Sequence, residues 1–149
     1  MPIRATVIAC LFPFTCMMLP GCDLSQSRDM QLNAAEVRAF QIDAEPNSLP
    51  ATATNVRVFE KSFTDKLQLV RFDAPVSEAR AFGKAFVGAD LSSADVPNIG
   101  PFGSNLPWWI TSIPHNAEGG EDRRASGRIR QIVMVQRGDV ARIWFVVFS

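Results

Sequence analysis

Two stretches of the chain alternate apolar and polar residues with the period of a β-strand. In NVRVFE, residues 55–60, Val56 and Val58 fall on one face and Arg57 and Phe59 on the other. In KLQLVRFD, residues 66–73, Leu67 and Leu69 oppose Gln68, Val70 and Phe72. The short run EKSFTD between them predicts a hairpin that pairs the two. The apolar spacing then lengthens to that of a helix. Ala79, Phe82, Phe86 and Val87 recur within APVSEARAFGKAFVG, with Pro75 at the entrance and Gly88 at the exit. That pattern predicts a helix whose phenylalanines face a core. Arg80 and Lys84 lie on its other side as a mildly repulsive, solvated pair.

The C-terminal third supplies two more strands. RIRQIVMVQ sets Ile129, Gln131, Val133 and Val135 against Arg130, Ile132 and Met134, and VARIWFVVFS is apolar on both faces apart from Arg142. A strand with no polar face belongs in the middle of a sheet. The intervening QRGDV predicts a tight turn in which Gly138 supplies a positive φ. That turn also accounts for the tripeptide Arg137-Gly138-Asp139 without an adhesive role. Upstream, AAEVRAFQI, residues 34–42, predicts a short helix ended by DAEPNSLP. The order predicts an α+β fold: an antiparallel sheet of about four strands with one or two helices packed on one face, in a single domain over residues 34–149.

Residues 89–107, ADLSSADVPNIGPFGSNLP, form a long connection; with Trp108, Trp109 and Pro114 it holds four prolines and two glycines. Structureless loops beyond about 15 residues are uncommon in compact domains, so this one hides a short strand or has a task. WWIT is a candidate edge strand. Trp108 and Trp109 are the candidate partner-binding residues, because large aromatics dominate binding hot spots. Three placements stay open for them. A strand would send one indole into the core and the other outward, a rigid loop would present both, and an exposed Trp would suit a membrane interface.

Beyond the tryptophans, HNAEGGEDRRASGRIR mixes Glu118, Glu121 and Asp122 with Arg123, Arg124, Arg128 and Arg130. It reads as a solvated loop made mobile by Gly119-Gly120, with a weak arginine patch for an anionic partner. Candidate chemistry is sparse. His115 is the single histidine, with no cysteine or second histidine beside it, so no metal site is expected. No Gly-x-Ser-x-Gly elbow, Ser-x-x-Lys pair or phosphate-cradling glycine loop appears, and no cofactor or catalytic residue is assigned.

The N-terminus has a different character. After Arg4, residues 5–20 carry no charge, as a secretory h-region requires. These sixteen residues fall short of the roughly 20 that cross a bilayer as a helix, and Pro13 interrupts them. Leu19-Pro20-Gly21-Cys22 resembles the lipobox of bacterial lipoproteins: an aliphatic residue, a small residue, Gly or Ala, and then Cys. Pro20 departs from the usual small residue. The resemblance covers about the first 23 residues. It implies a diacylglyceryl group on the Cys22 sulfur, cleavage before Cys22 so that residues 1–21 are a lipoprotein signal peptide, and in some cases acylation of the new amine. Two or three acyl chains on one residue hold a protein on a bilayer almost permanently. Cys10 and Cys16 would leave with the signal, so Cys22 would be the sole cysteine of the mature chain. Residues 22–33 then read as the lipidated cysteine and a polar tether, spanning roughly 18 Å as a flexible coil.

Asp23 resembles the signal that keeps lipoproteins of enteric-type bacteria in the inner membrane, which favours its periplasmic face over the outer membrane. LPATATNV, followed by LVRFDAPVSEARAF and the Trp pair, resembles small bacterial lipoproteins without an assigned activity. That likeness covers about half of the mature chain and implies no reaction. Composition adds one exclusion. The 149 residues carry 15 basic and 15 acidic side chains, so no global field draws the protein to nucleic acid.

The expected function is a lipid-anchored envelope protein acting as a non-catalytic binding or structural module, its partners the membrane and an envelope protein. The alternatives are an immunity-type lipoprotein that neutralises a periplasmic toxin and an envelope hydrolase using His115.

Overall fold

A computed structural model of the chain describes residues 26–62, 64–123 and 127–149. Six strands and two helices follow in the order β1 (Gln26–Gln31), α1 (Ala34–Ala39), β2 (Thr54–Ser62), β3 (Lys66–Pro75), α2 (Val76–Val87), β4 (Ala117–Arg123), β5 (Ile129–Arg137) and β6 (Val140–Phe148). The strands form one antiparallel sheet in the order β1-β2-β3-β6-β5-β4. The α+β class and the four strands read from alternation are present. The sheet has six strands rather than about four.

The strand that is apolar on both faces, β6, lies at the centre beside β3. Pairing puts Leu69, Val146, Trp144, Val133 and Val135 on one face and Val70, Phe72, Phe145, Ile143, Ile132 and Met134 on the other. Water must be kept from both. Helices α1 and α2 cover the second face through Val37, Ala79, Phe82, Phe86 and Val87. Phe82, Phe86, Phe72 and Phe145 meet there in edge, tilted and stacked contacts 4.9–6.4 Å between ring centroids.

Local signals set the helix ends. Asn33 caps α1 with a side chain that accepts from the amides of Ala35 and Glu36 at 2.9 and 3.1 Å, and the Glu36 carboxylate accepts from the Asn33 backbone N–H at 2.7 Å. Gly88, at φ +78°, ends α2 in the left-handed conformation. The β5–β6 turn is the two residues Gly138 and Asp139, with Gly138 at φ +66°.

The two additional strands come from segments expected to be irregular. Gln26–Gln31 falls within the expected tether 22–33, yet it pairs with β2 from Gln26↔Ser62 to Gln31↔Arg57. As an edge strand it buries little beyond part of Met30, so its sequence carries no apolar alternation. It places residues 26–31, ahead of residue 34, in the sheet.

The other is β4, where Gly119-Gly120 were expected to give mobility. A β-carbon on Gly120 would lie 3.0 Å from Val87 of α2, and one on Gly119 would lie 2.8 Å from Pro97 and 2.7 Å from the backbone oxygen of Ile132. Each glycine lets cover approach one face. Ser92 and Gly119 exchange backbone hydrogen bonds of 3.0 and 2.9 Å, which caps part of the outer edge of β4.

Gly119→Ala should therefore destabilise the protein more than Gly120→Ala, by about 2 kcal/mol against 1, because the first meets a backbone oxygen and a proline ring at 2.7 and 2.8 Å and the second a single methyl at 3.0 Å. Urea unfolding of the two variants checks the order; equal midpoints would contradict the two-sided approach.

Candidate functional site

The face of the sheet away from α1 and α2 has no α-helix over it among the described residues. Residues 89–116 cross it instead, through a 3-10 turn at Gly100–Gly103 and the apolar residues Ile99, Trp108, Trp109 and Ile110. Trp108 and Trp109 are 8% and 5% exposed, so the candidate partner-binding residues are core. They do not alternate as a strand would, because the segment is not one. Their rings meet edge-on at 5.7 Å and both press on the sheet.

Each buried indole N–H finds an acceptor. Trp109 donates to the Ile99 carbonyl at 2.9 Å, Trp108 to the Asp29 carboxylate of β1 at 3.0 Å, and Trp144 of β6 to the Trp108 carbonyl at 3.3 Å. All three tryptophans thus belong to this face and tie the crossing segment to both the edge and the centre of the sheet. Gly103 lies against the Trp109 indole, where a β-carbon would come within 2.5 Å of Cγ. The long connection's task is to be the second cover.

Of the arginines in the expected patch, Arg123 and Arg130 are engaged within the fold and Arg128 is exposed. Arg130 is buried, its guanidinium bonded to Asp122 and to the Glu45 carbonyl and set 5.7 Å from the Phe86 ring. Arg123 pairs with Glu121, and Arg80 forms a two-pronged bridge to Glu118. Arg124 lies outside the described residues, as do Cys22 and Asp23. His115 is exposed, two residues before β4. Among the described residues no group of three or more His, Cys, Asp and Glu is placed to hold a metal ion, and no helix is long and apolar enough to cross a membrane.

A different arginine cluster is formed by strand register. Arg57 of β2 stands directly opposite Arg71 of β3. One step along the same face, Asp73 of β3 stands opposite Arg142 of β6. All three arginines are half-buried at the margin of the apolar cover. Arg142 grips Asp73 with two bonds, Nε to Oδ1 at 2.7 Å and Nη2 to Oδ2 at 2.8 Å. Asn55 adds a third at 2.9 Å. Asn55 reaches it from a strained position, at φ +51° in the β-bulge between Thr54 and Arg57. Arg71 donates to the Asn55 carbonyl at 3.3 Å, and its Nε is shut from solvent with no partner.

The electrostatics of the cluster are one-sided. Burial alone would push the Asp73 carboxyl up, but the hydrogen bonds from Arg142 and Asn55 and the charges of Arg142 and Arg71 outweigh it and hold the carboxyl below its usual range. Arg142 is raised by its bond to Asp73. Arg71 is lowered, first by burial and then by the charge of Arg142, with Asp73 only partly offsetting both. Among the described residues no carboxylate lies within salt-bridge distance of Arg57 or Arg71. Three guanidinium groups share one carboxylate, and that carboxylate is already taken. Alternation puts Arg57 on the face opposite Val56 and Val58, and Arg142 is the polar exception on its strand. Bringing them together with Arg71 needs the β2-β3-β6 register, which alternation does not supply.

Comparison of the chain with protein-family models, with curated proteins and with solved structures finds no match.

Two outcomes follow from this geometry. Trp109→Ala should cost about 4 kcal/mol of stability in denaturant unfolding, as a large buried side chain does; a loss within experimental error would return the indole to the surface. Asp73→Asn should cost about 2 kcal/mol at neutral pH, because it weakens charge-assisted bonds to a partly buried guanidinium. Asp73 binds fewer protons folded than unfolded. Its contribution is therefore complete above about pH 4 and fades as the pH falls through its lower folded value. Unfolding free energies measured down the acid limb should fall less steeply in Asp73→Asn than in the wild type, and parallel slopes would contradict the pairing.

Proposed function

We propose that the chain is a lipid-anchored envelope protein whose domain is a non-catalytic binding module. The observation that carries the binding half is the arginine face: three guanidinium groups from adjacent strands around a single, already occupied carboxylate. Such a surface recognises charge. The groups gathered on it, Arg57, Arg71, Arg142, Asn55 and Asp73, include no nucleophile paired with a base.

The anchoring half rests on Leu19-Pro20-Gly21-Cys22 and on Cys22 being the sole cysteine left after cleavage. With Gln26 already in β1, at most residues 23–25 separate Cys22 from the sheet. Their fully extended reach is roughly 10–14 Å. The lipid then holds the domain close to the bilayer rather than lifting it clear on a long tether. Asp23 favours the periplasmic face of the inner membrane for this placement.

The test is metabolic labelling with radioactive palmitate and detergent phase partition of the full chain. The wild type should take up label and enter the detergent phase. Cys22→Ser should lose the label and either remain a precursor or partition into water. A Cys22→Ser chain that is cleaved and labelled like the wild type would overturn the anchor.

A further inference from the structure

Arg57 and Arg71 face each other across an antiparallel pair, where Cα atoms lie about 5 Å apart and like charges are destabilising. The Arg57 side chain makes no hydrogen bond or ion pair among the described residues, although Glu60 and Asp73 lie on its own or the next strand. Glu60 instead serves the buried Gln68 on the opposite face, at 2.8 Å, and Asp73 is committed to Arg142 and Asn55. The β1 residue in register with Arg57 is the neutral Gln31. Among the described residues Asp73 offsets the charge on Arg71 only in part, and no carboxylate forms an ion pair with either arginine.

We propose that Arg57, Arg71 and Arg142 form a binding site for a phosphate-class oxyanion, of the kind a phosphomonoester carries. This names the ligand of the binding module proposed above and does not depend on Cys22. The charge count selects the class. Three guanidinium groups against the Asp73 carboxylate leave two positive charges, which a phosphomonoester at −1.5 to −2 balances. A monocarboxylate leaves one uncompensated. Geometry agrees with charge. Arg142 keeps Nη1 unused, Arg71 uses only Nη2 within the protein, and Arg57 has its whole fork available. Planar forks bind phosphate oxygens in pairs. The Arg71 Nε is closed to water, so only its outer nitrogens can meet a ligand. Two sources share this chemistry, a soluble phosphate ester and a phospholipid headgroup at the bilayer surface.

The structure also supplies a reporter. Trp144 stands in register with Arg71 on the same face, so a ligand on the arginines should alter its emission. The experiment uses the full chain in neutral-detergent micelles, titrated at constant ionic strength with inorganic phosphate, with chloride as control, and separately with phosphatidic acid mixed into the micelles. A saturable fluorescence change with phosphate and not chloride supports the site and a soluble source. A change with phosphatidic acid alone supports the site and a headgroup source. In either arm, Arg71→Gln should weaken binding about tenfold or more, as loss of a charge-assisted, two-pronged contact does, and Arg71→Lys should weaken it less.

Stability of the unliganded variants gives a second, independent reading. Arg57→Gln relieves the facing charges and should unfold at the same or higher denaturant concentration than the wild type. A destabilised Arg57→Gln would make the arginine structural and overturn the proposal. So would the absence of saturation with both probes, or affinities unchanged in a folded Arg57→Gln, Arg71→Gln double variant. Because palmitate labelling at Cys22 is a separate assay, failure of the anchor and failure of the oxyanion site are told apart.

Discussion

Burial of the central strand pair on both faces is the constraint from which the rest of the molecule follows. β3 and β6 carry apolar residues on each side, from Phe72, Phe145 and Ile143 on one to Leu69, Trp144 and Val146 on the other. Two layers of cover are therefore needed. The chain spends its two helices on one of them. The second layer is built from a non-helical segment, which has to supply large side chains because it lacks the density of a helix. Trp108 and Trp109 answer that need, and Gly103 and Gly119 let the segment lie close to the Trp109 indole and to the sheet.

An irregular cover creates a polar problem that its own aromatics help to solve. The indole N–H groups bond to Asp29, Ile99 and Trp108, so each is both packing and attachment, as buried polar groups require. On the helix face the same logic recurs with side chains as clips. Gln68, fully buried, holds the Gln41 carbonyl and the Asp43 amide, and Arg130 holds the Glu45 carbonyl. These bonds draw the segment after α1 down onto the sheet. The loop-side cover stops short of Arg57, Arg71 and Arg142, and that margin is where charge replaces apolar packing on the same face.

Elements whose packing is written locally were legible in the sequence. β2, β3, β5 and β6 show alternation, α2 shows helical spacing with its phenylalanines inward, and Gly88 and Gly138 mark their turns. What escaped depends on neighbours far along the chain. β1 is an edge strand with polar residues on both faces, so it reads as tether. β4 holds two glycines that signal mobility in isolation and close packing in place. The tryptophans look like a recognition motif because nothing local shows a sheet beneath them. The arginine cluster joins residues 57, 71 and 142, and a register shift at the Thr54–Arg57 bulge decides its alignment.

The central claim is that one face of this sheet is core where the tryptophans lie and recognition surface where the arginines lie. The most direct test is a two-dimensional nitrogen–proton NMR titration with inorganic phosphate, following arginine Nε–H and tryptophan Nε1–H signals together. The account predicts that Arg57, Arg71 and Arg142 shift with phosphate, while the Trp108 and Trp109 indole protons exchange slowly with solvent and stay in place. Rapid solvent exchange of those indole protons, or phosphate shifts that fall on them and spare the three arginines, would contradict it.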